Sequence, residues 1–213
     1  MLKIRCSQIY RIMTDPRSKK AKEDGELSET TKTYLQELWI EKKYGRRKEV
    51  KSKYLEKGNE KEEASITLLS NVSGKLFFKN EQFYENDFLT GTPDIVKPEL
   101  IDIKTSWDIH TFFSNHTRFG AVVDKNYKYQ LQGYMALTDA PSATLVYCLV
   151  NTPVELAEKE MQWNGKTAED VFFDDIPEAE RVITQTVERD EKVISDIYLR
   201  IENVRRHWDK LCA

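Results

Sequence analysis

The sequence predicts an α/β (α+β) fold, a central mixed β-sheet flanked by helices. Three features predict it. Apolar residues recur at helical spacing through the first third of the 213 residues. The pattern then turns to period two and short apolar runs between Lys75 and Lys104, and beyond that helix and strand patterns alternate. No repeat, low-complexity tract or Pro/Gly-rich linker interrupts the chain, so residues 1–213 are expected to form a single domain.

Residues 7–14 read as a short helix with Ser7 as its N-cap, because a serine oxygen can accept from the free N–H groups of a first turn. Asp15-Pro16-Arg17-Ser18 opens a polar loop that runs to about Glu26. From Ser28 to Tyr44, apolar side chains at Tyr34, Leu35, Leu38 and Trp39 make a helical stripe, and Gly45 stops it. One further helix is expected over residues 53–69, ending before Gly74. Residues 75–78, 82–84 and 89–96 read as a strand meander. Residues 100–104 form a compact strand with Ile101 and Ile103 on one face and Asp102 and Lys104 on the other. A helix over 127–137 precedes a buried-type strand over 143–150. A strand over 181–188 then leads to a long amphipathic helix over 190–211, whose apolar side includes Ile194, Ile197, Ile201 and Val204.

Composition narrows the function. Hydrophobic residues at 39% and a mean hydropathy of -0.64 suffice for one core, and no apolar run approaches the ~20 residues of a membrane span. No charged-then-apolar leader follows Met1, and Cys6, Cys148 and Cys212 are too scattered for a disulfide framework or a four-cysteine metal centre, so a reducing cytoplasm is expected. The net charge of -3 hides a split. Residues 1–57 hold 16 basic and 9 acidic residues, whereas the rest of the chain holds 17 basic and 27 acidic. Arg17, Lys19, Lys20 and Lys22, with the cluster from Lys42 to Lys57, are dense enough to attract a polyanion.

The informative residues are Asp94, Asp102 and Lys104. Asp94 ends the turn Gly91-Thr92-Pro93-Asp94, and Asp102-Ile103-Lys104 sets an acid and a base on one strand face. If the two strands pair, two carboxylates converge beside a lysine. That arrangement suits a hard divalent cation, which would stabilise charge on a phosphoryl oxygen and acidify a bound water, with the lysine orienting that water. Glu62 supplies a third acid, in register with Ile66 and Leu69 on the inward face of its helix, whereas Glu60 and Glu63 fall toward solvent. Gly58 is expected to let the backbone approach closely there.

The order Gly-x-x-x-Glu, Pro-Asp and Asp-x-Lys resembles the PD-(D/E)XK nuclease superfamily, with its restriction-endonuclease-like core. Gln130 and Tyr134, as Gln-x-x-x-Tyr, are similar to the helix of its RecB-like branch. The opening Ser7 to Met13, then Pro16-Arg17-Ser18, and the closing Glu188-Arg189-Asp190-Glu191-Lys192 are similar to the phage λ exonuclease and YqaJ-type viral recombinase family. The resemblance implies that Glu62, Asp94, Asp102 and the Ile103 carbonyl bind a two-metal Mg²⁺ site, with Mn²⁺ as substitute. It makes Lys104 the catalytic lysine and gives Gln130 a supporting catalytic role. Tyr134 packs nearby and completes a substrate-binding set with Ser7 and Thr92 at a 5′-phosphate pocket and Arg17 on the duplex. The family's main phosphate-binding arginine has no match here. Either Arg5 or another basic residue replaces it, or the preference for a phosphorylated 5′ end is weaker.

The function implied is a 5′-to-3′ exonuclease that degrades one strand of linear double-stranded DNA to leave 3′ overhangs for recombination. The partners implied are DNA ends, further copies in a ring (a trimer), and a single-strand annealing protein, in the cytoplasm of a bacterial host and encoded by a phage or prophage. The alternatives are an endonuclease of the same superfamily and an inactive DNA-binding protein with this fold. His110, His116 and His207 lack metal-binding spacing and are expected on the surface. Trp107, Phe112, Phe113 and Phe119 are expected mainly in the core or an interface, with base stacking as the alternative. Trp163 reads as a turn anchor and residues 170–180 as a solvated acidic loop.

Overall fold

The strands divide between two three-stranded sheets joined at one point. The structure, a computed structural model, describes residues 1–212. Its strands are β1 (Ile4–Arg5), β2 (Tyr84–Glu85), β3 (Leu89–Gly91), β4 (Ile101–Thr105), β5 (Ser142–Cys148) and β6 (Val182–Glu188). Its helices are α1 (Ile9–Ile12), α2 (Lys19–Glu23), α3 (Glu29–Tyr44), α4 (Lys53–Glu60) and α5 (Glu62–Ser73), then α6 (Ile109–Ser114), α7 (Lys125–Thr138), α8 (Val154–Trp163), α9 (Ala168–Val171) and α10 (Glu191–Cys212).

In the smaller sheet β3 lies between β1, to which it is parallel, and β2, to which it is antiparallel. In the larger sheet β5 is parallel to β4 and antiparallel to β6. The junction is an antiparallel bridge in which Ile95 N donates to the Ile101 oxygen (3.2 Å) and Ile101 N to the Ile95 oxygen (3.0 Å). The expected strand over 89–96 is interrupted between these points because Pro93 has no N–H to donate to a ladder. That interruption is the turn carrying Asp94.

The larger sheet is covered on both faces, and β5 reads accordingly as an unbroken apolar run. Leu145, Tyr147 and Leu149 join a core with side chains of α1, α3, α7 and α10, including Ile9, Leu35, Leu131 and Ile201. Val146, Cys148 and Val150 point the other way, to Ile66, Leu68 and Leu69 of α5 and to Ile101 and Ile103. Gly133 admits the turn before α1 against α7, because a Cβ there would lie 2.6 Å from Ile9 Cδ1 and 2.9 Å from Cys6 Sγ.

Several expectations are corrected. Ser7 caps nothing: it sits inside a 3₁₀ turn, Cys6–Gln8, and neither this turn nor α1 has a side-chain cap. The single helix over 53–69 is two, α4 and α5, broken at Lys61 (φ -104°, ψ 9°), so that Glu62 opens a new helix. Residues 75–78 form no strand; their neighbour Asn80 is instead bonded to the Asp94 carbonyl. Gly58 is helical and a Cβ there would meet nothing within 4 Å, so no close approach explains it. Trp163 is 74% exposed at the end of the unforeseen helix α8 and anchors no turn. The acidic stretch is not wholly solvated either, since Val171 and Phe173 reach the core.

Candidate active site

β4 brings two opposite requirements together. Ile101 and Ile103 enter the core against α5, which turns Asp102 and Lys104 toward α7. Asp102 is 1% exposed. Its Oδ1 accepts from Gln130 Nε2 at 2.9 Å. Its Oδ2 lies 2.7 Å from Lys104 Nζ in a buried ion pair and has no other polar partner. A buried carboxylate is costly unless it is paired, and here the Lys104 ammonium and the Gln130 amide pair it.

Asp94 arrives from the interrupted strand. Its Oδ2 accepts from Ile103 N at 2.7 Å, which fixes the turn against the middle of β4. Burial, and next the charge of Asp102, push the Asp94 carboxyl up from its ordinary range, against the Ile103 N–H and Lys104. At Lys104 burial works against the charge, but Asp102 and Asp94 outweigh it, so the ammonium is held above its ordinary value. Its Nζ also lies 4.9 Å from the centre of the Tyr127 ring.

The other expected residues divide. Gln130 is in place, bonded to Asp102 and at 3.2 Å to the Tyr134 hydroxyl. Tyr134 is 5% exposed and packed so closely on Gly91 that a Cβ there would lie 2.7 Å from its ring. Ser7 is exposed and lines a cavity of about 540 Å³ with Tyr10, Asn115, Asn126, Tyr127 and Gln130, beside the carboxylates. Thr92 is exposed on the Asp94 turn, and Arg17 is exposed and makes no ion pair among the described residues. Arg5 faces another cavity, lined by Tyr34, Leu38 and Trp208, and its guanidinium bonds Glu41 at 3.2 Å.

Glu62, at the first position of α5, is close enough to Asp94 to raise its carboxyl further, yet its Oε2 is engaged by Lys79 Nζ at 2.9 Å. Among the described residues no three His, Cys, Asp or Glu side chains are gathered around one point in a way that would hold an ion. The donors nevertheless fit a hard divalent cation, through the close approach of the Asp94, Asp102 and Glu62 carboxylates and the oxygen-only chemistry of the set. Lys79 and Asn80 were not signalled by the sequence. Asn80 donates from its backbone to the Asp94 carbonyl (2.7 Å) and from Nδ2 to the Pro93 carbonyl (2.9 Å), and so braces the turn. A lone polar pair between apolar runs has no pattern to mark it. Of the histidines, His110 is exposed, and His116 and His207 make only local contacts. Phe112 is core, Trp107 and Phe113 are half-buried, and Phe119 is 68% exposed.

No family model matches the chain, and comparison with curated proteins finds no match. Solved structures do match. A phage-related exonuclease from Haemophilus somnus 129PT is 33% identical, with a TM-score of 0.83 over 99% of this chain and 95% of that one. The alkaline exonuclease LHK-Exo from Laribacter hongkongensis, known also in complex with dAMP, is 16% identical, with a TM-score of 0.69 over 98% of this chain and 88% of that one, and shares the fold. Identity at the first of these levels, sustained over almost the full length of both chains, shows that this protein belongs to the λ-exonuclease, YqaJ-type family of PD-(D/E)XK nucleases.

Proposed function

We propose that the protein is a divalent-metal-dependent deoxyribonuclease that degrades one strand of linear duplex DNA from its 5′ end and leaves a 3′ single-stranded overhang for recombination. The observation that carries this reading is the convergence of Asp94, Asp102 and Lys104 around the buried Asp102–Lys104 ion pair, in a chain similar along its length to a phage-related exonuclease.

Asp94, Asp102, the Ile103 carbonyl and, once released from Lys79, Glu62 would hold the ions, Mg²⁺ with Mn²⁺ as substitute. When bound, these supply charge stabilisation at the scissile phosphate and a water acidic enough to attack it. Lys104, kept as an ammonium by its two carboxylate neighbours, orients the attacking water and steadies the negative charge that grows on the phosphate. Gln130 holds Asp102 in one orientation, and Tyr134 holds Gln130. Ser7 and Thr92 contact the strand end, and Arg17 the duplex. By the same family reading the protein assembles as a ring, a trimer, works with a single-strand annealing protein, and acts in the cytoplasm of a bacterial host as a phage or prophage product. No helix is long and apolar enough to cross a membrane.

Lys104→Ala tests the reading. It is expected to reduce Mg²⁺-dependent nucleotide release from linear duplex by at least about a hundredfold with the circular dichroism spectrum unchanged. Retained release overturns it. Covalently closed circular DNA is expected to survive, and cleavage of the circle would point to an endonuclease instead. Linear duplex with 5′ phosphate or 5′ hydroxyl on one labelled strand reports polarity and end preference.

A further inference from the structure

Lys57 is among the largest fully buried side chains of the described residues, 1% exposed, and the proposed nuclease chemistry does not use it. It lies on α4, and its Nζ donates to the Trp107 carbonyl at 2.9 Å. The rest of its surroundings is aromatic: the Phe173 ring centre is 5.1 Å away and that of Trp107 5.8 Å. Lys57 makes no ion pair among the described residues. The carboxylate whose charge reaches it is Asp108. Asp108, on the connection after β4, accepts from Thr111 N at 2.7 Å as the cap of α6. Glu160, on α8, is held by Lys53 at 2.8 Å and by Asn164, also at 2.8 Å. Its own helix carries Lys53 and two exposed acids, Glu56 and Glu60, and Lys61 follows at the helix end. An ammonium here would have one carbonyl and no ion-pair partner, with Asp108 acting on it only at longer range, whereas an uncharged amine keeps the same hydrogen bond at a smaller desolvation cost.

The bond joins the two segments on which the active site depends. Trp107 lies three residues beyond Lys104, on the connection just past the end of β4, and α4 runs through the break at Lys61 directly into Glu62. Lys53 and Tyr54 reinforce the junction, with Lys53 Nζ 4.7 Å from the Trp107 ring centre and the Tyr54 ring edge-on to it at 5.0 Å.

We propose that Lys57 is a positioning residue for the nuclease reaction: as an uncharged amine it ties α4 to the Trp107 carbonyl and so sets the spacing between Glu62 and the Asp102–Lys104 strand. The inference rests on the nuclease reading above. Burial lowers the Lys57 pKa from its ordinary 10.5 to about 7, opposed by Asp108 and aided by Lys61. Between those two values the unfolded chain holds a proton that the fold does not, so the fold gains stability as pH rises from about 7 toward 10.5 and loses it as pH falls.

Three measurements on the full chain test this. In wild-type protein with ¹⁵N-labelled lysine, one Nζ signal, absent in Lys57→Met, is expected to be that of a neutral amine at pH 9 and to titrate near neutrality. Lys57→Met keeps the length and removes the donor. It is expected to lower kcat on linear duplex about tenfold while KM for the duplex stays within about twofold, a split that placement of reacting groups predicts and general loss of fold does not. Its melting temperature is also expected to rise less than that of wild type between pH 7 and 10. Lys57→Leu serves in the same assays should the methionine variant not fold. A signal that titrates only above pH 10, or a folded variant with unchanged kcat, overturns the inference alone. A wild-type protein that digests no DNA overturns the nuclease reading and this inference with it.

Discussion

Asp94 shows how a single side chain balances stability against function. Burial and the neighbouring Asp102 charge raise its carboxyl, so the fold binds that proton more tightly than the unfolded chain does. The stability it contributes is complete at pH values below the ordinary carboxylate range and is lost as pH rises through the raised value. Without divalent ions, Asp94→Asn is therefore expected to melt a few degrees above wild type at pH 8 and level with it near pH 4, while losing activity; calorimetry at the two pH values checks the sign. Added Mg²⁺ is expected to raise the wild-type melting temperature more at pH 8 than at pH 5, since it relieves the same repulsion. Asp102 has other surroundings, with Gln130 bonded to one oxygen and Lys104 paired to the other. The two acids look alike in sequence, and their environments make them unequal.

Elements meet where side chains are small or absent, and two glycines separate close packing from helix propensity. A Cβ on Gly133 would overlap Ile9 and Cys6, so Gly133→Ala is expected to cost about 1–3 kcal/mol as the turn before α1 lifts from α7. Gly58 has open space around it within α4. Gly58→Ala is therefore expected to stabilise the fold by up to about 1 kcal/mol, and urea unfolding of the two variants gives opposite signs. The break at Lys61 belongs to this scale too. Residues 53–69 carry a continuous helical pattern, and only the packing of α4 on the β4–α6 connection and of α5 on the sheet divides it. The division puts Glu62 in the first turn of a new helix, where its charge is favoured by the free N–H groups.

Across the whole molecule, the charge split acquires a location. The basic connection between α3 and α4 is exposed, and Arg46 and Arg47 make no ion pair among the described residues, whereas Arg11 and Lys53 of the same basic quarter are held by Glu37 and Glu160. Replacing Arg46 and Arg47 together by alanine is expected to lower the slope of log affinity for duplex DNA against log salt by about 2, measured by anisotropy on a non-cleavable duplex. Sequence by itself determined the fold class, the long helices α3, α7 and α10, the strands β4 to β6, and the order Glu62, Asp94, Asp102, Lys104. These rest on periodicity and spacing, which are local properties of the chain. It missed α8, and it gave Lys57 no more notice than the basic residues around it. Tertiary structure alone decided that Pro93 splits the sheet, that Tyr134 is buried behind Gln130, that Lys79 holds Glu62, and that Lys57 sits in an aromatic pocket without an ion pair among the described residues. Each of these depends on which distant segments share a volume, and no pattern read along the chain encodes that.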